Sequence, residues 1–123
     1  MKRELKFRFW NVRNKKFIDE DPLYSKWAVS LDGKTYNGKY DCRYNEEEYI
    51  IQQYTGLKDK NGTEIYEGDI IRGMMDFGPA GFHERSVVVK WDNEEGYQWN
   101  YFDLNSIKVE GNMFDNPELL ELI

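Results

Sequence analysis

Residues 53–73, QYTGLKDKNGTEIYEGDIIRG, decide the fold of this chain. Tyr49–Tyr54 is β-branched and aromatic beyond what a six-residue helix would use, so it reads as a strand closed by Thr55-Gly56. Asn61-Gly62 is the strongest short hairpin signal, because a two-residue type I′ turn needs positive φ at both central residues. Glu64-Ile65-Tyr66 then returns as a strand, Glu67-Gly68-Asp69 turns, and Ile70-Ile71-Arg72 runs out as the next strand. Two turns and three short strands within about twenty-five residues predict an antiparallel sheet.

On the C-terminal side, Gly73–Phe82 holds three glycines and Pro79 and reads as a mobile excursion at the sheet margin. Ser86–Trp91 is the most β-prone run, joined by a five-residue loop, Asp92–Gly96, to a strand over Tyr97–Phe102. Ile107–Gly111 is a final strand. Asn116, Pro117 and Glu118 before Leu119-Leu120 predict a short helix with Asn116 as N-cap. On the N-terminal side, Glu4–Trp10 alternates, with Leu5, Phe7 and Phe9 expected on the buried face and Lys6, Arg8 and Trp10 on the other. Phe17-Ile18 offers its returning strand. From Leu23 to Tyr44 the pattern weakens: Trp27, Val29 and Leu31 alternate, and Asp32-Gly33 and Asn37-Gly38 signal turns.

A length of 123 residues suits one domain, residues 1–123, and the 16% aromatic content favours sheet. No 18-residue apolar run and no signal-peptide pattern occur, so no membrane association and a cytoplasmic setting are expected. The single cysteine, Cys42, has no internal disulfide partner. Residues 1–16 carry seven basic groups against one acid, a net +6, leaving −12 for the remainder of a chain whose total is −6. Such a basic segment either protects an edge strand from aggregation or meets a partner: nucleic acid, or the acidic surface of a second copy.

Catalytic signals are sparse. His83 is the only histidine, and with Cys42 it supplies two of the four ligands that a structural zinc needs. Asp19-Glu20-Asp21 and Asp92-Asn93-Glu94-Glu95 lack the spacing of an EF-hand loop. Neither GxxxxGK[ST] nor GxGxxG occurs. No enzyme activity, metal or cofactor is therefore expected. A Gly-Asp turn opening a strand, Gly68–Ile71, followed by Val87–Trp91, also occurs in SH3-like small barrels that bind nucleic acid or peptides. Tyr66, Trp91, Trp99 and Tyr101 accordingly read as a recognition surface or, the favoured reading, as the filling of a barrel interior.

Three blocks, Lys6–Trp10, Gln53–Ile71 and Glu110–Leu120, together resemble the YopX family of small proteins encoded by bacteriophages and prophages. The resemblance implies an all-β fold, mainly antiparallel with a partly open β-barrel and a short C-terminal helix, in a bacterial host. It implies no catalytic residue. The expected function is a non-enzymatic interaction or self-associating module, as a homo-oligomer or with a phage or host protein. The alternative is a nucleic-acid-binding accessory protein. Lys6, Arg8, Trp10, Arg13, Tyr66, Trp91 and Trp99 are the candidate interaction residues.

Overall fold

Among the described residues, fifteen elements, twelve of them strands, follow one another along the chain. The computed structural model describes residues 5–17, 27–29, 35–37, 42–43, 49–97, 99 and 101–123, and for 27–29, 35–37, 42–43, 49 and 122 it describes the backbone alone. The turn signals at Asp32-Gly33 and Asn37-Gly38 fall wholly or partly outside these residues. The fold is all-β and mainly antiparallel, and its chain divides into two compact units, Phe7–Gln52 and Met1–Lys6 with Gln53–Ile123.

In the Phe7–Gln52 unit, β1 (Phe7–Asn11) turns back into β2 (Lys16–Phe17), with Trp10 opposite Phe17 and Asn11 opposite Lys16. The turn is built by Asn11, whose Oδ1 accepts from the backbone N–H groups of Arg13 and Asn14 while its carbonyl accepts from that of Lys15. Lys15 is left with a φ of 54°, the left-handed region that a lysine rarely enters. On its other side β1 borders the first half of β6 (Tyr49–Lys58). A separate meander joins β3 (Trp27–Val29), β4 (Thr35–Asn37) and β5 (Cys42–Arg43).

The parity expected for the first strand is reversed. Leu5 and Phe7 are exposed, whereas Trp10 is buried with its ring edge-on to Phe17 at 4.8 Å between centroids. Indole burial removes more apolar area than a leucine, and the Arg8 guanidinium lies over the same Phe17 ring. The covered face is thus the one carrying Lys6, Arg8 and Trp10.

In the Gln53–Ile123 unit, the second half of β6 pairs with β7 (Glu64–Tyr66), and β8 (Asp69–Asp76) lies between β9 (Phe82–Val88) and the last strand, β12 (Lys108–Asn112). Two short strands between them, β10 (Trp91–Asp92) and β11 (Gly96–Tyr97), form a small ribbon. Hydrogen bonds from the Lys60 N–H to the Ile107 carbonyl and from the Gly68 N–H to the Val89 carbonyl tie the β6–β7 loop to the start of β12 and the β7–β8 turn to the end of β9, and the strands form a partly open barrel. Ile65, Ile71, Val89, Phe102 and Ile107 fill its interior. Each such side chain contributes about 1.5–3 kcal/mol when fully buried.

The β6–β7 hairpin stands where Asn61-Gly62 predicts it, but its turn differs. Gly62 has a φ of +83° while Asn61 does not enter the left-handed region, and the Gly62 N–H donates to the Asp59 carbonyl, so the loop is Lys60-Asn61-Gly62. A three-residue loop ending in a left-handed glycine is the next commonest hairpin connection. Here Asp59 selects it by accepting the Asn61 and Thr63 N–H groups on Oδ1.

Asp69, buried beside Ile70, accepts the Tyr66 N–H on one carboxylate oxygen and the Asn112 side-chain amide on the other. It thereby fastens the β7–β8 turn to the end of β12. The expected excursion over Gly73–Phe82 is instead a regular hairpin, with Gly73 opposite Arg85 and Asp76 opposite Phe82 around the short 3-10 turn Gly78–Ala80. Gly73 serves contact rather than mobility: a Cβ there would stand 3.1 Å from Ser106 Oγ, which accepts the Met74 N–H. The C-terminal helix, Pro117–Leu122, is a 3-10 helix. Asn116 does not cap it, because its Oδ1 accepts the Asn112 N–H instead.

Candidate functional site: an aromatic cleft

β8 and β9 present alternate residues to two faces, and one face carries Ile71 and Met75 from β8 with Val87 from β9. Above this apolar floor, β10, β11 and the segment through Phe102 bring Trp91, Tyr97, Trp99 and Tyr101. Together with Val89 and Phe102 these residues line a cavity of about 310 Å³, with Lys90 and Asp92 at its edge. The strand expected over Tyr97–Phe102 ends at Tyr97: the Trp99 N–H donates to the Tyr97 carbonyl and the Phe102 N–H to the Trp99 carbonyl, so the chain turns here and carries Trp99 and Tyr101 to the cavity. The Asp76 N–H donates to the Tyr101 carbonyl and the Asp103 N–H to the Met74 carbonyl, fixing this segment against β8.

Trp91 is 55% exposed and Tyr101 62% exposed. The sequence favours these rings as interior filling, and for these two the structure reverses it. Only Trp99 and Tyr97 are half-buried and packed against the core. Trp91 is nonetheless held in place: its ring meets Tyr97 edge-on at 5.0 Å, and Tyr97 in turn leans on Trp99 at 6.1 Å. Its other support is Gly96, where a Cβ would come within 3.3 Å of the indole and where φ is +69°. Only glycine meets both requirements at that position.

The β10–β11 turn is acidic, and its Asp92 lines the cleft. Asp92 Oδ1 accepts the N–H groups of Glu94 and Glu95 at 2.8 and 3.0 Å, and these bonds hold its carboxyl below the usual aspartate range. Asp92, Glu94 and Glu95 are exposed, as is Lys90. A cleft of this kind offers flat apolar faces and a quadrupole attractive to cations, with a carboxylate, Asp92, in its lining.

The remaining candidates lie elsewhere. Lys6 Nζ is 2.8 Å from Glu64 Oε2 and 5.9 Å from the centre of the Tyr54 ring, which leans on Tyr66 at 5.5 Å. Tyr66 is half-buried in that cluster and does not line the cleft. Arg8 Nε donates to Gln52 Oε1 at 2.7 Å, with its guanidinium 4.5 Å from the centre of the Phe17 ring. Trp10 is buried and presents no interaction surface, contrary to expectation. Arg13 is exposed at the β1–β2 turn beside Lys15 and Lys16. Tyr97, Phe102 and Met75 complete the cleft, and Gly96 supports it, without having been singled out by sequence. Among them Tyr97 shares the period of Trp99 and Tyr101 and was legible on that ground.

His83 Nε2 donates to the Ala80 carbonyl at 2.7 Å, and the ring meets Phe77 edge-on, so it braces the β8–β9 turn. Among the described residues no three His, Cys, Asp or Glu side chains cluster as metal ligands. No helix among them is long and apolar enough to cross a membrane.

The fold and cleft define a small all-β module that presents ordered aromatic rings on a partly open barrel. The chain belongs to the YopX family: the family model described as YopX protein matches residues 6–121. It is also similar to a solved structure, described as the crystal structure of protein EF1440 from Enterococcus faecalis. The identity is 26%, the match covers 95% of this chain and 98% of that one, and the TM-score is 0.59. No curated protein matches the chain.

Proposed function

We propose that this is a non-enzymatic interaction module of a bacteriophage or prophage, acting in the cytoplasm of a bacterial host, that self-associates through the aromatic cleft. One observation carries the reading: Trp91 is more than half exposed yet fixed between Gly96 and Tyr97. An exposed indole whose position is already set loses little conformational freedom on binding, and tryptophan and tyrosine dominate the energetics of protein interfaces. Tyr101 and the apolar floor extend the same surface.

A second reading, binding of single-stranded nucleic acid, draws on the exposed Arg13, Lys15 and Lys16 and on stacking at Trp91 and Tyr101. Against it, Lys6 and Arg8 already serve partners in their own chain, and the whole carries a net charge of −6. Light scattering across a concentration series tests the first reading. Trp91→Ala and Tyr101→Ala should each weaken association while leaving the dichroism spectrum unchanged. A mobility shift with single-stranded DNA tests the second. Wild-type behaviour of both variants, or DNA binding at physiological salt, would reverse the order of the two readings.

A further inference from the structure

The cleft has a complement within the same sequence. The β1–β2 turn exposes Val12, at 41%, together with Arg13, Lys15 and Lys16. These three cations enter no ion pair among the described residues. Their turn is held by three hydrogen bonds to Asn11 and by a lysine in the left-handed region. A non-glycine residue kept at positive φ stores backbone strain of about 1 kcal/mol or more, and such strain persists where the surroundings impose it. The tip is thus a preset cationic wedge with one apolar side chain at its front.

The cleft answers in kind. Its walls are aromatic, its lining carries Asp92 and Lys90, and the turn that Asp92 holds adds the exposed Glu94 and Glu95 next to them in the chain. Asp92 uses Oδ1 for the two backbone N–H groups of its own turn, and Oδ2 has no hydrogen-bond partner among the described residues. A guanidinium laid on the Trp91 face could pair with Oδ2 at the same time, combining a cation–π contact with a charge-assisted bond. A phosphate backbone, by contrast, would meet the Asp92 carboxylate there.

We propose that the cleft takes the Val12–Lys16 tip of a second copy of this chain, with Arg13 against Trp91 and Asp92. The inference rests on the reading of the cleft as the self-association surface and names what fills it. Each copy then carries one tip and one cleft, and a mutual exchange, the tip of each in the cleft of the other, is the twofold form of such a contact. Opposite charge at the contact makes association sensitive to salt, since exposed charges are screened within about 8 Å at physiological ionic strength.

The test uses two full-length variants, R13Q/K15Q/K16Q and Trp91→Ala, whose substitutions fall at exposed positions, with Tyr101→Ala as a second cleft variant should Trp91→Ala fail to fold. Sedimentation at matched concentrations should give a dimer for wild type. For the tip variant the dissociation constant should rise about tenfold or more, as expected when charge complementarity is removed. A one-to-one mixture of the tip variant and the cleft variant should regain association, because the tip of one and the cleft of the other survive. Wild-type dimerisation of the tip variant alongside a monomeric cleft variant would overturn this occupant while leaving the cleft reading in place. A mixture no more associated than its components would also overturn it. Undiminished dimerisation of both variants, or a wild type that stays monomeric, would remove both readings.

Discussion

Replacing Asp59 by alanine tests how the barrel is held together. Its carboxylate accepts three backbone N–H groups: Asn61 and Thr63 on Oδ1 at 2.8 and 2.9 Å, and Val109 on Oδ2 at 2.9 Å. It is only 7% exposed, and through Val109 it ties the β6–β7 loop to β12. After truncation the exposed Asn61 and Thr63 amides find water, so each loss costs about 1 kcal/mol, the net value of such a bond. The half-buried Val109 amide cannot do so as readily and adds about 1–2 kcal/mol. The sum, about 3–4 kcal/mol, is a large share of the 5–15 kcal/mol typical of a whole domain. Burial alone would raise the Asp59 pKa, but the bonds from Val109, Thr63 and Asn61, with the charge of Lys108, outweigh it and leave the pKa lowered. A lowered folded-state pKa means that this stabilisation is complete above the unfolded value, about 3.9, and is lost as pH falls through the folded value. Urea unfolding at neutral pH and along an acid series measures both effects. Asp59→Asn should lose about 1–2 kcal/mol, because its amide would set a donor against the Val109 N–H. It should also lose less further stability than wild type below about pH 4. A loss under about 0.5 kcal/mol for Asp59→Ala, the range of an ordinary surface change, would refute the reasoning.

Three further outcomes are expected. Gly62→Val should destabilise by about 1 kcal/mol or more in urea titration, since φ is +83° there and a β-branched residue is strained, although no atom would clash with its Cβ. Gly96→Ala should cost a similar amount and also alter the near-ultraviolet dichroism of Trp91, because the methyl group meets the indole at 3.3 Å. Ile107→Ala, at 2% exposure in the barrel interior, should lose about 2–5 kcal/mol by calorimetry, with the dichroism spectrum retained.

Much of the barrel could be read from local signals. Asn61-Gly62 places a hairpin because few residues tolerate positive φ, and Ile70-Ile71 and Val87–Val89 name their own strands by β-branching. What local pattern cannot carry is the identity of the neighbour. In β1 the alternation Leu5, Phe7, Phe9 against Lys6, Arg8, Trp10 offers two faces, and the choice falls to the partner that Phe17 provides across the hairpin. Gly73 looks like a breaker until Ser106, thirty-three residues away, occupies the place of its side chain. Asp59 and Asp69 look like turn residues, and only the arrival of Val109 and Asn112 makes them fasteners between strands. Trp91 and Tyr101 fail in the opposite direction. Aromatic rings in a small β domain are usually consumed by the core, but here Ile65, Ile71, Val89, Phe102 and Ile107 already fill it.

The central claim is that Trp91 and Tyr101 are a contact surface. Hydroxyl-radical footprinting of wild-type protein, well below and well above its association concentration, reads the accessibility of those two side chains directly. Oxidation of both should fall as the complex forms, while that of Phe82, exposed on the opposite face of the β8–β9 sheet, stays constant. Unchanged oxidation of Trp91 and Tyr101 in a sample that light scattering shows to be associated would contradict the account.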